Sequence, residues 1–455
     1  MTDPVQYRQV SLAPGVVQAA DVAQYMFSLM LRNIATDGYV FTDPNDPTNP
    51  DDFSRPGAII ASPSFDNRFF NVDQDYVYNW TRDAAVVAME LAAADLSNGQ
   101  LLRNYVDFAR ICQTAPGAPI DRASYTIAGR PRAWTDQTDG PALRTMATLR
   151  AYPHLDADGQ AVARKVIADD VAFLLGAYQD ETFNLWEEFY GFSFFARAVQ
   201  LRCFRELAAN VYGIPVPAGT AKVITDLEQA LAGHWDDAAG LYRTFGPGSS
   251  YTPPGGGRNQ PPPGYDANID IVLAAIYGGI GITDPKMLAT AAKIRQQWTD
   301  PTQGTAYPIN KADAARGLGP LLGRYPADTY DGDISDGDNP IGHPWALCTA
   351  NFAELYYRLA KEITAAGVVP VDALTQDFFA QVGISAATSV PDAAAALRAA
   401  GDRMMSALIF HSDHLELSEQ FDKDTGFEKS VRNLTWSYAA FLSAVRAATG
   451  TVVHD

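Results

Sequence analysis

Basic residues are scarce: 34 Lys and Arg stand against 53 Asp and Glu in 455 residues, a formal net charge of −19. Nucleic acid and anionic membranes are held by clustered Lys and Arg, so this balance excludes both as expected partners. Cysteine is rarer still. Cys112, Cys203 and Cys348 are an odd, scattered set without a CxxC pair or metal-ligand spacing. A chain this long buries enough core to need no disulfide. No apolar run reaches the roughly 18 residues of a membrane span, and the opening MTDPVQYRQV has no signal-peptide core. Alternating strand patterns are nearly absent. Hydrophobic residues at 47% and aromatics at 11% are plentiful. Aromatics and carboxylates without basic patches point to a neutral, polar ligand.

Helical periodicity dominates. Val17, Ala20, Val22, Met26, Met30 and Leu31 mark an early amphipathic helix. Asp139-Gly-Pro141 opens another, with the Asp read as N-cap and the Pro in the first turn. Similar stretches run at 82–97, 98–114, 157–178, 191–211, 218–235, 266–279, 284–298, 344–365, 391–409 and 429–448. Such a series fits a helical solenoid or a closed ring of hairpins, and the lack of a fixed repeat disfavours the solenoid. Length alone, at about 150 residues per domain, suggests roughly three domains. The Pro- and Gly-rich segment 245–264 reads as a surface loop rather than a linker, because candidate motifs lie on both sides of it. Asp331–Asp338 (DGDISDGD) has the acids of a calcium loop, but its glycines are not where an EF-hand requires them. A solvated turn is the plainer expectation.

Five clusters combine Trp, Tyr, Arg and carboxylates. Asp75-Tyr76-Val-Tyr-Asn-Trp80-Thr-Arg82-Asp83 precedes an apolar helix. Asp83 there is either a helix-start acid or, with Arg82, a grip on sugar hydroxyls beside aromatic rings. Asn184-Leu-Trp186-Glu187-Glu188 places two acids side by side, which on a helix would project about 100° apart. One of them against Trp186 would lose solvation and gain pKa, as a general acid needs. Glu419 in Ser418-Glu-Gln-Phe-Asp-Lys423 is either a solvated loop acid or the second of a catalytic pair. It leads into the helix of Leu434, Trp436, Tyr438, Leu442 and Val445. Arg324 in Gly323-Arg-Tyr-Pro326 precedes Gly342-His-Pro-Trp345, and His343 reads as a loop residue because no second ligand is spaced with it. Gly129-Arg-Pro131 with Asp139–Arg144 completes the set.

In order along the chain, ASPS, DYVYNWTRD, GRP with DGPALR, LWEE, NIDIVLAAIYG, GRYPADTY with GHPW, and SEQFDK with NLTWSYA resemble the glucoamylase family, glycoside hydrolase family 15, in particular its fungal-type catalytic domains. The resemblance implies an all-α, six-hairpin (α/α)6 barrel formed by residues 1–455 as one catalytic domain, with no starch-binding module. It implies exo-acting, inverting release of β-D-glucose from α-1,4-glucans or maltooligosaccharides. Glu187 would be the general acid and Glu419 the general base. Arg82, Asp83 and Arg324 would grip hydroxyls, with Glu188 also at the sugar. Tyr76 and Trp80 would pack at the scissile sugar, while Trp186, Trp345 and Trp436 line the funnel. An inverting pair needs no metal, so no cofactor is expected; the partner is an oligosaccharide or polysaccharide, met by a monomer.

Departures fall where leaving-group sugars would bind. Ala128 stands where the family often has Trp, followed by an insertion carrying Trp134; Asn184, Tyr190 and Ala327 also differ. An α-1,6-preferring exo-glucosidase on the same fold is therefore the rival, and a non-catalytic sugar-binding barrel the rival from another class. The sequons at Asn79 and Asn433 lie inside the motifs and are expected to be unmodified. A polymer-digesting enzyme is usually exported, so a secreted or periplasmic protein with its signal removed is the favoured expectation, and the plain cytoplasmic reading of this chain is the alternative.

Overall fold

The computed structural model describes residues 18–42, 51–64, 66–67, 72–73, 76–94, 99–332 and 341–450. Fourteen α-helices appear among them. They are α1 (Ala19–Leu31), α2 (Thr81–Ala93), α3 (Gln100–Gln113), α4 (Asp139–Ala151), α5 (Ala157–Ala177), α6 (Phe194–Ala209) and α7 (Thr220–Ala232), then α8 (Asp270–Tyr277), α9 (Pro285–Thr299), α10 (Pro308–Ala315), α11 (Ala346–Ala366), α12 (Gln376–Ala380), α13 (Val390–His411) and α14 (Thr435–Thr449).

Six of them close a ring in which α2 packs on α4, α4 on α6, α6 on α8, α8 on α11, α11 on α14, and α14 back on α2. An outer layer covers it: α1 lies on α14, α3 beside α5, α5 on α4, α7 on α6, α9 on α8, and α13 on α11. This is the (α/α)6 barrel expected from the motifs. Residue chemistry sorts the layers. Every residue of α8 is buried, as is every residue of α2 from Thr81 to Ala92, the charged Arg82, Asp83 and Glu90 included; a helix buried on every side belongs to the inner layer. In α7 only Thr220, Val223, Leu227 and Leu231 are buried, the single stripe of an outer helix.

Several sequence readings change. Asp139 is not the N-cap of α4; Thr138 is, and Asp139 is the first helical residue, its carboxylate turned towards Arg82. Glu187 and Glu188 are not on a helix. They lie in a turn between two short strands, Thr182–Phe183 and Tyr190–Gly191. The helix expected from 429 starts at Thr435, because residues 428–429 pair with 420–421 as a hairpin. Segment 245–264 is a loop, as expected, and Asn259 Nδ2 donates to the Glu188 carbonyl at 3.1 Å. Of the calcium-loop candidate, 333–338 lies outside the described residues. The carboxylate of Asp331 meets His343 at 2.9 Å and Lys429 at 3.2 Å.

Candidate active site

The candidate residues gather at the N-terminal ends of the inner helices. Five of these helices have no side-chain N-cap. First-turn N–H groups need acceptors, and loop carbonyls supply several. Thr81 N–H donates to Ala123 O at 2.8 Å, Ala346 N–H to Glu419 O at 3.1 Å, and Thr435 N–H to Ala61 O at 2.8 Å. The loops bearing functional side chains are thereby tied to the barrel rim.

Glu419 is the more tightly held acid. Its backbone caps α11 and its N–H donates to Val431 O at 2.9 Å. Three hydroxyls then donate to its carboxylate: Tyr76 at 2.8 Å, Tyr330 at 3.2 Å and Ser430 at 2.5 Å. Burial pushes this carboxyl up to about 7, and the hydroxyl donors, Ser430 foremost, oppose that rise. The Tyr76 and Tyr330 oxygens are also 2.6 Å apart; each hydroxyl has one proton, so when one donates to the other, only the second donates to Glu419.

Glu187 sits at φ 66°, a left-handed conformation that a non-glycine residue keeps only when its surroundings enforce it. Asn184 does the enforcing. Its Oδ1 accepts from the Glu188 and Phe189 N–H groups, both at 3.0 Å, its O accepts from Glu187 N–H at 2.9 Å, and its Nδ2 donates to Tyr265 OH at 2.6 Å. An Asp there would lack that last donor. Arg82 Nη2 donates to Glu187 Oε1 at 3.1 Å, and the Trp134 indole N–H donates to Oε2. Desolvation raises the Glu187 carboxyl above its ordinary range, against the pull of Arg82 and Trp134.

Arg82 is the hub. Nη1 donates to Gln137 Oε1 at 3.0 Å and lies 3.5 Å from Asp139 Oδ2, while Nε is 3.6 Å from Asp83. Its guanidinium stands 5.4 Å over the Trp436 ring, which is buried beneath it. Asp83 is pushed up to about 6 by burial, and Arg82 works against that.

Glu188 does not share Glu187's surroundings. Its oxygens take Arg324 Nη2 and Tyr325 OH, each at 2.8 Å. Arg324 is also clamped by both oxygens of Asp328, at 2.8 and 2.6 Å. Trp186, Tyr325, Tyr330 and Trp345 surround its guanidinium at 5.0–5.3 Å. Trp186 is oriented by donating to Asn268 Oδ1 at 3.0 Å.

The structure thus brings every expected site residue to this rim, with Trp80 buried and edge-on to Trp134 at 5.8 Å. Reading the sequence missed the contacts of Trp134, Gln137, Asp139, Tyr330 and Ser430. Trp134 and Tyr330 lie within strings already singled out, and Ser430 follows Glu419 by eleven positions. Both sequon asparagines are engaged: Asn79 Oδ1 accepts from Ile59 N–H and Asn433 Nδ2 donates to Glu416, each at 3.1 Å.

Comparison with known proteins fits this geometry. The sequence profile described as Glycosyl hydrolases family 15 matches residues 28–446. The chain belongs to glycosyl hydrolases family 15. Within the family it is similar to a probable glucoamylase of Schizosaccharomyces pombe, 27% identical over 454 residues that cover 91% of this chain and 88% of that protein. It is 30% identical to glucoamylase 1 of Rhizopus oryzae over 438 residues, covering 87% and 67%. Among solved structures, the family 15 glucoamylase from Hypocrea jecorina superposes with a TM-score of 0.76 at 24% identity, over 95% of this chain and 72% of that one. The glucoamylase from Saccharomycopsis fibuligera gives 0.75 at 20%, over 96% and 98%, and supports the fold. As a family 15 member the protein is a glycoside hydrolase of glucoamylase type. Among the described residues no helix is long and apolar enough to cross a membrane.

Proposed function

We propose that the protein is an exo-acting, inverting α-glucosidase that works as a monomer and frees β-D-glucose from non-reducing ends of α-1,4-linked glucans or maltooligosaccharides. Two desolvated carboxyls, Glu187 and Glu419, held by separate donor sets at one aromatic rim, support this reading most. Glu187 gives its proton to the glycosidic oxygen as the C1–O bond breaks. Glu419 takes a proton from water, whose oxygen attacks C1 from the opposite face and inverts it. A base whose pKa is raised is the stronger proton acceptor, provided the pH keeps it ionised. Arg82 and Asp83, each with buried polar atoms lacking a hydrogen-bond partner, are placed to take hydroxyls of the terminal sugar. Chemistry of this kind calls for no metal or cofactor.

Leaving-group demand separates the two roles. Glu187→Gln should lose maltose hydrolysis by roughly 10²–10⁴-fold or more yet keep turnover of α-glucosyl fluoride, whose leaving group needs no proton. Glu419→Gln should lose both. Wild-type maltose turnover by either variant removes that residue from its role. The first glucose anomer seen by NMR checks the stereochemistry, since α-glucose excludes inversion. Faster turnover of isomaltose or dextran than of maltodextrins would replace the α-1,4 assignment with α-1,6.

A further inference from the structure

The inner helices start at the catalytic rim, and their C-terminal ends meet at the other end of the barrel. A cavity of about 250 Å³ lies there, walled by Arg150 of α4, Arg202 of α6, Ile276 of α8, Arg358 of α11 and, from α14 and α2, Arg446 and Glu90. Four guanidiniums from four helices meet in a chain whose net charge is −19. Part of this is ordinary compensation, because helix C-termini carry negative partial charge and favour cations nearby. Arg202 Nη1 and Arg358 Nη1 both donate to Ile276 O, at 2.9 and 3.3 Å.

Compensation does not account for the rest. Arg446 has Glu90 to itself at 2.5 Å, and Arg358 pairs with Glu354. Arg150 Nη2 and Arg202 Nε instead share a single oxygen, Glu206 Oε1, at 2.7 and 2.9 Å. Among the described residues four cations therefore face three carboxylates, Glu90, Glu354 and Glu206, and the surplus lies between Arg150 and Arg202, with Arg358 close enough to share an acceptor. Burial, and after it the Arg150 charge, holds the Arg202 guanidinium below its ordinary range. These arginines remain 27–29% exposed on their side chains, so the cavity is open to solute.

We propose that this cavity binds a small oxyanion, a phosphate, sulfate or carboxylate group, between Arg150, Arg202 and Arg358, at a site separate from Glu187 and Glu419. A guanidinium presents its donors in a planar fork that matches an oxyanion, and an anion here offsets the surplus positive charge.

Calorimetric titration of the intact protein with inorganic phosphate at pH 7, against chloride at matched ionic strength, is the test. One saturable site is expected in the parent. Binding should weaken at least tenfold in Arg150→Gln, which leaves the Arg202–Glu206 contact in place, and vanish in Arg202→Gln. A parental circular dichroism spectrum shows that each variant is folded, and if Arg202→Gln is not, Arg150→Gln decides alone. The proposal is overturned by the absence of a phosphate-specific, saturable heat, or by parental affinity in the folded variants.

Discussion

Glu419 is tuned by three hydroxyls and Glu187 by a guanidinium and an indole, and both donor sets favour the ionised carboxylate. The consequences for rate have opposite meaning. As the proposed base, Glu419 must be ionised to accept a proton, so kcat/KM should fall as pH drops through its pKa. Ser430→Ala removes a donor to the ionised form, raises that pKa, and should move the acid limb of the profile to higher pH. As the proposed acid, Glu187 must be protonated, so the rate should fall as pH climbs through its pKa. Trp134→Phe keeps an aromatic ring but deletes the N–H, which should move the alkaline limb to higher pH. A pH profile of kcat/KM in each variant checks both shifts, and a limb that stays in place denies that donor its part. Trp134 is the notable residue of the pair, since it comes from an insertion while Ala128 occupies the position where an indole was expected.

Elements explain why the signatures lie where they do. WTRD, DGPALR, GHPW and NLTW each run into the start of an inner helix, and the rim formed by those starts carries the candidate site. Helices of both layers are held in register by a buried polar cluster below that rim. Arg144 of α4 donates to both oxygens of Asp170 of α5, at 3.0 and 2.5 Å, and Gln113 of α3 joins at 2.8 Å. Removing one partner of a buried ion pair leaves an uncompensated charge, costing about 3–5 kcal/mol. Asp170→Ala should therefore lower stability by about that much in denaturant melts, and a loss under 1 kcal/mol would mean that Arg144 finds another acceptor. Long helices were legible in the sequence because each keeps its apolar spacing over several turns. The short α10 and α12 and the two-residue strands were not, because so few residues establish no period.

For the whole molecule, the closed ring predicts a gradient of local stability. Amides of α8 and α11 lie within the core and should exchange with deuterium only through global opening, whereas α3 and α7 should exchange sooner. Equal protection of both layers would contradict that ordering. The ring also decides what meets what. Composition, helical spacing and ordered motifs were enough to determine an all-α architecture and to single out Glu187 and Glu419 as the proposed acids, since these are written in neighbouring residues. Only the tertiary structure turned Glu188 to Arg324, Asp139 to Arg82, Trp134 to Glu187, and Tyr76 with Tyr330 to Glu419. Those partners are separated by 53 to 343 positions. Closing the barrel brings them together, and no local periodicity carries that information.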